Sequence, residues 1–216
     1  TLIGDAGNND LRGAGGADSI VGGNGIDVVV FTTEGGGVVA DLTQGRAVTP
    51  TGTDTLSGIE NLRGSPFPDT LVGDSGPNWI RGGSTNTQAD GPDSLVGHGG
   101  DDTLAGEGWT DTLVGGTGND RYEIYGGEPV VELPGEGTDT VVLVTTHFAS
   151  VAWLDSNVEN GIVSPGTSAF TLTLSGNAGH NSLTGSAFGE VLNGGDGDDT
   201  LQGGGGNDTL DGGNHV

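Results

Sequence analysis

Residues 194–211 carry one nonapeptide twice in succession, GGDGDDTLQ and GGGGNDTLD. Its pattern is G-G-x-G-x-D-x-U-x, with U a large apolar residue. A nine-residue unit repeated in phase constrains the fold more than any other property of the chain, because each unit must be a structural step that stacks on its neighbours. The glycine-rich first six positions suit a tight turn, since glycine accepts positive φ and lets backbones approach closely. The last three positions suit a short strand with only its middle side chain, U, pointing inward. A strand every nine residues gives a flattened coil with two nonapeptides per full turn.

The Asp of each loop then lies near the Asp of the loop one full turn away. Stacked carboxylates repel unless a cation sits between them. A cage of carboxylate and carbonyl oxygens suits a hard cation such as Ca²⁺. Composition agrees. The 216 residues include 47 glycines, hydrophobic content is only 31%, and the formal net charge is −25. Low hydrophobicity with high charge would by itself suggest disorder. Periodic glycines and aspartates resolve the conflict if a bound cation is part of the fold. Burying one leucine contributes about 1.5–3 kcal/mol, less than the backbone entropy lost when nine residues are ordered. Calcium is therefore expected to act as a folding switch.

There is no Lys, and the five Arg are Arg12, Arg46, Arg63, Arg81 and Arg121. A basic nucleic-acid footprint is missing, and an anionic membrane would repel the chain. No apolar run approaches membrane-spanning length, so membrane insertion is not expected. The absence of Cys suits an extracellular protein without disulfides. There is no Met, no signal peptide is visible, and Thr1-Leu2-Ile3 reads as the tail of an earlier nonapeptide. An excised piece of a longer parent chain is expected.

Three blocks of repeats follow. The first, residues 1–31, starts units at Gly4, Gly13 and Gly22, with Asn9, Asp18 and Asp27 at the sixth position. A β spacer at 32–63 contains alternating Val38, Ala40 and Leu42, a turn at Thr43–Arg46, then Ala47 and Thr49. The second block, 64–124, places Asp69, Asn78, Asp93, Asp102, Asp111 and Asp120 at the sixth position. Its third unit carries a six-residue insertion near 84–92. A second β spacer, 125–175, has strand-like runs at Val141, Leu143 and 170–174, and Phe148, Trp153 and Val163 are candidates to thicken the core. There Asn157-Val158-Glu159-Asn160 echoes Ile59-Glu60-Asn61. The third block, 176–216, is truncated and places Asn181, Glu190, Asp199 and Asp208 at the sixth position. Neither spacer is a multiple of nine, so a loss of phase is expected across both.

The G-G-x-G-x-D-x-U-x units, with the neighbouring Asp54-Thr55-Leu56-Ser57-Gly58-Ile59-Glu60-Asn61 string, resemble the haemolysin-type RTX calcium-binding region. The resemblance implies an all-β, right-handed parallel β-roll, here in three nonapeptide blocks separated by two irregular β spacers. It also implies type 1 secretion from a Gram-negative bacterium and folding outside the cell on meeting Ca²⁺. Carried onto this chain, the sixth-position residues are the ligands. They are joined by backbone carbonyls near the first and third positions, strongest in the loops of Gly97 and Gly99, Gly115 and Thr117, Gly194 and Asp196, and Gly203 and Gly205. Asp102 should face Asp120 across one coil. Asn9, Asn78 and Asn181 bring less charge, and Glu190 is longer, which makes those sites weaker. The expected partners are several calcium ions and the rest of a parent chain.

Other signals have simpler explanations. Gly73-Asp74-Ser75-Gly76 resembles a serine-protease string but lies in repeat phase. The four His are scattered, which argues against zinc, and the Asp101-Asp102 and Asp198-Asp199 pairs are explained by calcium ligation better than by acid–base catalysis. The chain is read as a non-enzyme that supports folding and secretion. Trp79 at an outward position and Trp109 in a loop could stack on sugars, so a polysaccharide-binding adhesion module is one alternative. Part of a polysaccharide-modifying enzyme is another.

Overall fold

Each strand is only two to six residues long, as a nine-residue step requires. The structure is a computed structural model that describes residues 1–83, 91–108, 111–144, 151–164 and 171–214. Every described strand pairing is parallel except the two within one three-stranded antiparallel set, and no helix occurs among the described residues. The architecture is a parallel β-roll of about ten turns. Nine- and four-stranded sheets form one wall and a ten-stranded sheet the other.

The coil period is read directly from register. Leu95 pairs with Leu113, and Leu104 of the opposite wall pairs with Tyr122, each one double nonapeptide on. Within the three-residue strands only the middle side chain is inward, as in Ser19–Val21 and Thr70–Val72. The inward residues form a single apolar column. Ile20, Leu62, Leu71, Ile80, Leu95, Leu104, Leu113, Tyr122, Leu183 and Leu192 have no exposed surface. At the last coil the column opens, and Leu210 is 48% exposed.

The expected loss of phase does not interrupt the ten-stranded wall, which runs from Asp10–Leu11 to Thr200–Gln202 through both spacers. The extra residues are taken up in the loops. Successive sixth-position groups are 18 residues apart at Asp102 and Asp120, 19 at Asp120 and Asp139, and 20 at Asp139 and Glu159. The six-residue insertion appears as a separation of 24 from Asn78 to Asp102. Most of the insertion itself, residues 84–90, lies outside the described residues, as do Trp109, Phe148 and Phe170.

The first spacer widens one wall only. Val39–Asp41, Arg46–Thr49 and Gly52–Ser57 form an antiparallel set inserted into the nine-stranded sheet. Its outer members pair in parallel with Thr70–Val72 and Ser19–Val21. The alternation of Val38, Ala40 and Ala47 buries all three. In the second spacer, Val163 is buried as expected but Trp153 is not. Val151–Trp153 turns Ala152 inward, so the period of two places the tryptophan on the outer face, 64% exposed.

Candidate metal centre

The loops that join the two walls fall into two kinds, separated by the residue at the second position. In the Gly115 loop, Gly116 has φ +97° and Gly118 has φ +142°. The second and fourth residues are left-handed. Loops starting at Gly22, Gly194 and Gly203 repeat this pattern, and His98 occupies the second position of the Gly97 loop with φ +79°. We call these open loops.

The other kind has Asp, Ser or Asn second. Its side chain accepts the fourth-position N–H: Gly7 donates to Asp5 at 2.8 Å, Gly76 to Asp74 at 2.8 Å, and Gly179 to Asn177 at 2.8 Å. Phe67 and Phe188 donate to Ser65 and Ser186, both at 3.2 Å. The second-position N–H then donates to the sixth-position side chain of the same loop, as at Asn9 (2.8 Å), Asn78 (2.7 Å), Asn181 (2.8 Å) and Glu190 (2.9 Å). These are Asx and Ser turns closing on themselves, and they explain the aromatic residues at Phe67 and Phe188. With the fourth position no longer left-handed, a side chain is tolerated there.

The sixth-position residues form a ladder along the roll. Each carboxylate accepts the sixth-position N–H of the preceding turn at 2.8 Å: Asp27 from Asn9, Asp102 (2.7 Å) from Asn78, Asp120 from Asp102, and Asp199 from Asn181. The expected stacking of Asp102 and Asp120 is thus present as a backbone-to-carboxylate bond. Three ladder members lie outside the repeat units identified from the sequence. Glu60 accepts from Asp27, Asp139 from Asp120, and Glu159 from Asp139, each at 2.8 Å. Sequence reasoning missed them, although the echo between Ile59-Glu60-Asn61 and Val158-Glu159-Asn160 marked two of them, and Asp139 keeps the repeat spacing in Gly135-Glu136-Gly137-Thr138-Asp139-Thr140-Val141, with Pro134 in the first place. A second ladder on the other edge contains Asp54, Asp69, Asp93, Asp111 and Asp208, which accept from Asp18, Val38, Asp69, Asp93 and Glu190.

Oxygen accounting separates these groups. The second oxygens of Asp27, Asp102, Asp120 and Asp199 are buried and have no hydrogen-bond partner. All four belong to open loops on one edge. By contrast, both oxygens of Asp69 are engaged by Ser65 and Val38, both of Asp111 by Asp93 and Gly108, and both of Glu190 by Ser186. Asn78 and Asn181 turn their amide N–H toward the turn below, donating to the Glu60 carbonyl at 2.7 Å and the Val158 carbonyl at 3.0 Å. Asn9 donates to Asp5 at 3.2 Å, and Asp18 lies 3.5 Å from the Thr1 amino group.

The carbonyls take distinct places. Over the Cα of Gly97, its own Asp102 Oδ2 and the Gly115 carbonyl converge, and the same arrangement recurs over Gly64, Gly73, Gly82 and Gly185. Only a first-position glycine leaves room for it. The third-position carbonyl of Thr117 accepts the Gly100 N–H at 2.8 Å. Gly99 and Gly205 use their N–H groups on the Asp74 and Ser186 carbonyls at 3.2 and 2.9 Å. Gly194 donates to the Asp211 carbonyl at 2.7 Å, and Asp196 accepts from Asn214 at 3.1 Å. Gly203 packs against its own Asp208.

Burial without positive charge raises several of the ladder acids, Asp102 and Asp120 among them. Desolvation pushes Asp102 up to about 7, with Asp120, Asp74 and Asp101 adding repulsion. Asp120 is pushed up to about 6 by desolvation and then by its acidic neighbours Asp139, Asp101 and Glu136. Asp69, Asp111 and Asp139 are also raised by burial. Among the described residues, no arginine forms an ion pair with Asp27, Asp102, Asp120 or Asp199. Arg12 pairs with Asp10, Arg121 with Glu123, and Arg81 with Glu107. Arg81 also stacks on Trp79, which is 43% exposed on the outer face. A buried oxygen-only donor set with unmatched negative charge fits a hard divalent cation.

Comparison with known families agrees with this donor set. The description "RTX calcium-binding nonapeptide repeat" matches in four copies, at residues 1–29, 63–86, 89–122 and 184–214, more than half of the chain. The chain belongs to the RTX calcium-binding repeat family. A search of curated proteins gave no significant match. RTX repeats are structural calcium-binding units, not catalytic ones. Three matched segments contain open loops with such oxygens, at Asp27, at Asp102 and Asp120, and at Asp199. No helix among the described residues is long and apolar enough to cross a membrane.

Proposed function

We propose that this RTX roll is a calcium-dependent folding module of a secreted protein, holding several ions between its open loops. It would remain unfolded where calcium is scarce and fold outside the cell, where calcium is abundant, supporting the export and stability of a larger chain. The observation that carries this reading is the row of buried, unpartnered oxygens on Asp27, Asp102, Asp120 and Asp199. Leaving a buried charged acceptor unsatisfied is costly, and divalent ions would remove that cost at each of these four open loops. Binding only to the folded state adds about 2.7 kcal/mol per site at a hundredfold excess over Kd. Extracellular calcium modules work at Kd of about 10⁻⁴–10⁻³ M, which separates the two compartments.

The carboxylates at Asp27, Asp102, Asp120, Asp199 and Asp208, with first-position carbonyls, are the proposed ligands. Circular dichroism in EDTA and then in millimolar calcium tests the switch. A large gain in strand content on adding calcium is expected; equal strand content in both would overturn the reading.

A further inference from the structure

The carboxylate ladder does not stop where the matched repeats stop at residue 122. It continues into the second spacer through Asp139 and Glu159. Beside it, Glu132 follows the short strand Val130–Val131 and folds its carboxylate back toward the ladder. One carboxylate oxygen each from Asp120, Glu132 and Asp139 lies within 4.8 Å of the others. The three residues are 1%, 5% and 1% exposed. Two of the oxygens in this space, Glu132 Oε2 and Asp120 Oδ2, are buried and have no hydrogen-bond partner.

The neighbouring residues are arranged around this group. Tyr122 is the one residue of the column of U residues with a polar tip, and it is fully buried. Its hydroxyl donates to Glu132 Oε1. Over Gly115, the Tyr122 hydroxyl, Asp120 Oδ2 and Glu132 Oε1 all converge on the space a Cβ would occupy. Asn157 donates to the Glu132 carbonyl at 2.9 Å and so fixes the backbone from the next coil. No arginine of the described ion pairs reaches the cluster. Three carboxylates in so small a buried volume cannot all ionise without a counter-ion.

We propose that Asp120, Glu132 and Asp139, with Glu132 held by the Tyr122 hydroxyl, form a calcium site built half from a repeat loop and half from the spacer. The site rests on the calcium-binding reading above but differs in composition. A repeat joint offers the carboxylates of two stacked loops, whereas this one offers three. Charge count tunes calcium affinity in oxygen cages, so this site fills first. It also joins the repeat loop at Gly115 to the spacer coil that carries Glu132 and Asp139.

The test is a calcium titration of the full chain by calorimetry, comparing wild type with Glu132→Gln and with Asp10→Asn at an exposed outward position of the first coil. Glu132→Gln should lower the number of bound ions by one and weaken the first-binding phase at least tenfold. Asp10→Asn should leave both the ion count and that first phase unchanged. If Glu132→Gln does not fold in calcium, Asp139→Asn gives the same readout, because Asn retains the oxygen that accepts the Asp120 N–H. An unchanged ion count with first-phase affinity within twofold of wild type, in either folded variant, overturns the site. Wild-type protein that binds no calcium at all would instead refute the general calcium reading.

Discussion

At the scale of single residues, Asp and Asn at the sixth position do opposite work. Asp102 presents an unpartnered oxygen toward the loop interior. Asn78, in the neighbouring coil, presents an N–H that is already satisfied by the Glu60 carbonyl. Changing Asn78→Asp would replace that donor with an acceptor facing a carbonyl, at a position only 4% exposed. A loss of about 1–3 kcal/mol is expected, measured as a lowered urea midpoint in saturating calcium; an unchanged midpoint would show that the amide bond contributes nothing. The one-letter repeat already distinguished these positions, but it did not show what the amide does. That depended on Glu60 and Glu159 replacing loop aspartates one turn below, which only the spatial stacking reveals.

At the scale of strands and loops, the nine-residue period made most of the roll legible. It gave the inward column and the two strands per coil, while the turn at Thr43–Arg46 was legible from its own residues between two alternating runs. The antiparallel insertion was not legible, because alternation at Val38, Ala40 and Ala47 fixes which side chains are buried but not the direction of the neighbouring strand. Glu132 was not legible either, since a lone Glu in a spacer has no spacing to mark it. The inward column predicts a gradient of sensitivity. Leu104→Ala, at a position with no exposure, should cost about 2–5 kcal/mol. Leu210→Ala, 48% exposed in the last coil, should change stability by no more than about 0.5 kcal/mol. Thermal midpoints in saturating calcium compare the two; similar losses would mean that the column is not the core.

At the scale of the whole molecule, a net charge of −25 meets a thin core, and pH becomes a second control. Ordinary carboxylates titrate near about 4, but in the roll Asp102, Asp120 and Glu132 are pushed up to about 7, 6 and 8, first by burial. The metal-free fold therefore binds protons more tightly than the unfolded chain. Its stability is fully present below the ordinary value and is lost as pH rises through 6 to 8. Calcium has the opposite dependence, because it competes with protons for the same oxygens. In EDTA, strand content by circular dichroism should be higher at pH 5 than at pH 8, and calcium affinity should rise over the same interval. Metal-free strand content that increased with pH would contradict the burial of these acids.

The two asparagine joints, Asn78 on Glu60 and Asn181 on Val158, also divide the metal column lengthwise. Each stitches adjacent coils by hydrogen bonds, donated by the asparagine side-chain amide, that no chelator can remove. Coils in such a stack feel chiefly their nearest neighbours, so stripping ions from one stretch would fray that stretch and halt at the joint. On the proposed calcium reading the molecule would be compartmented like a hull, with three separately loaded holds and two bulkheads that stay shut when any one of them empties.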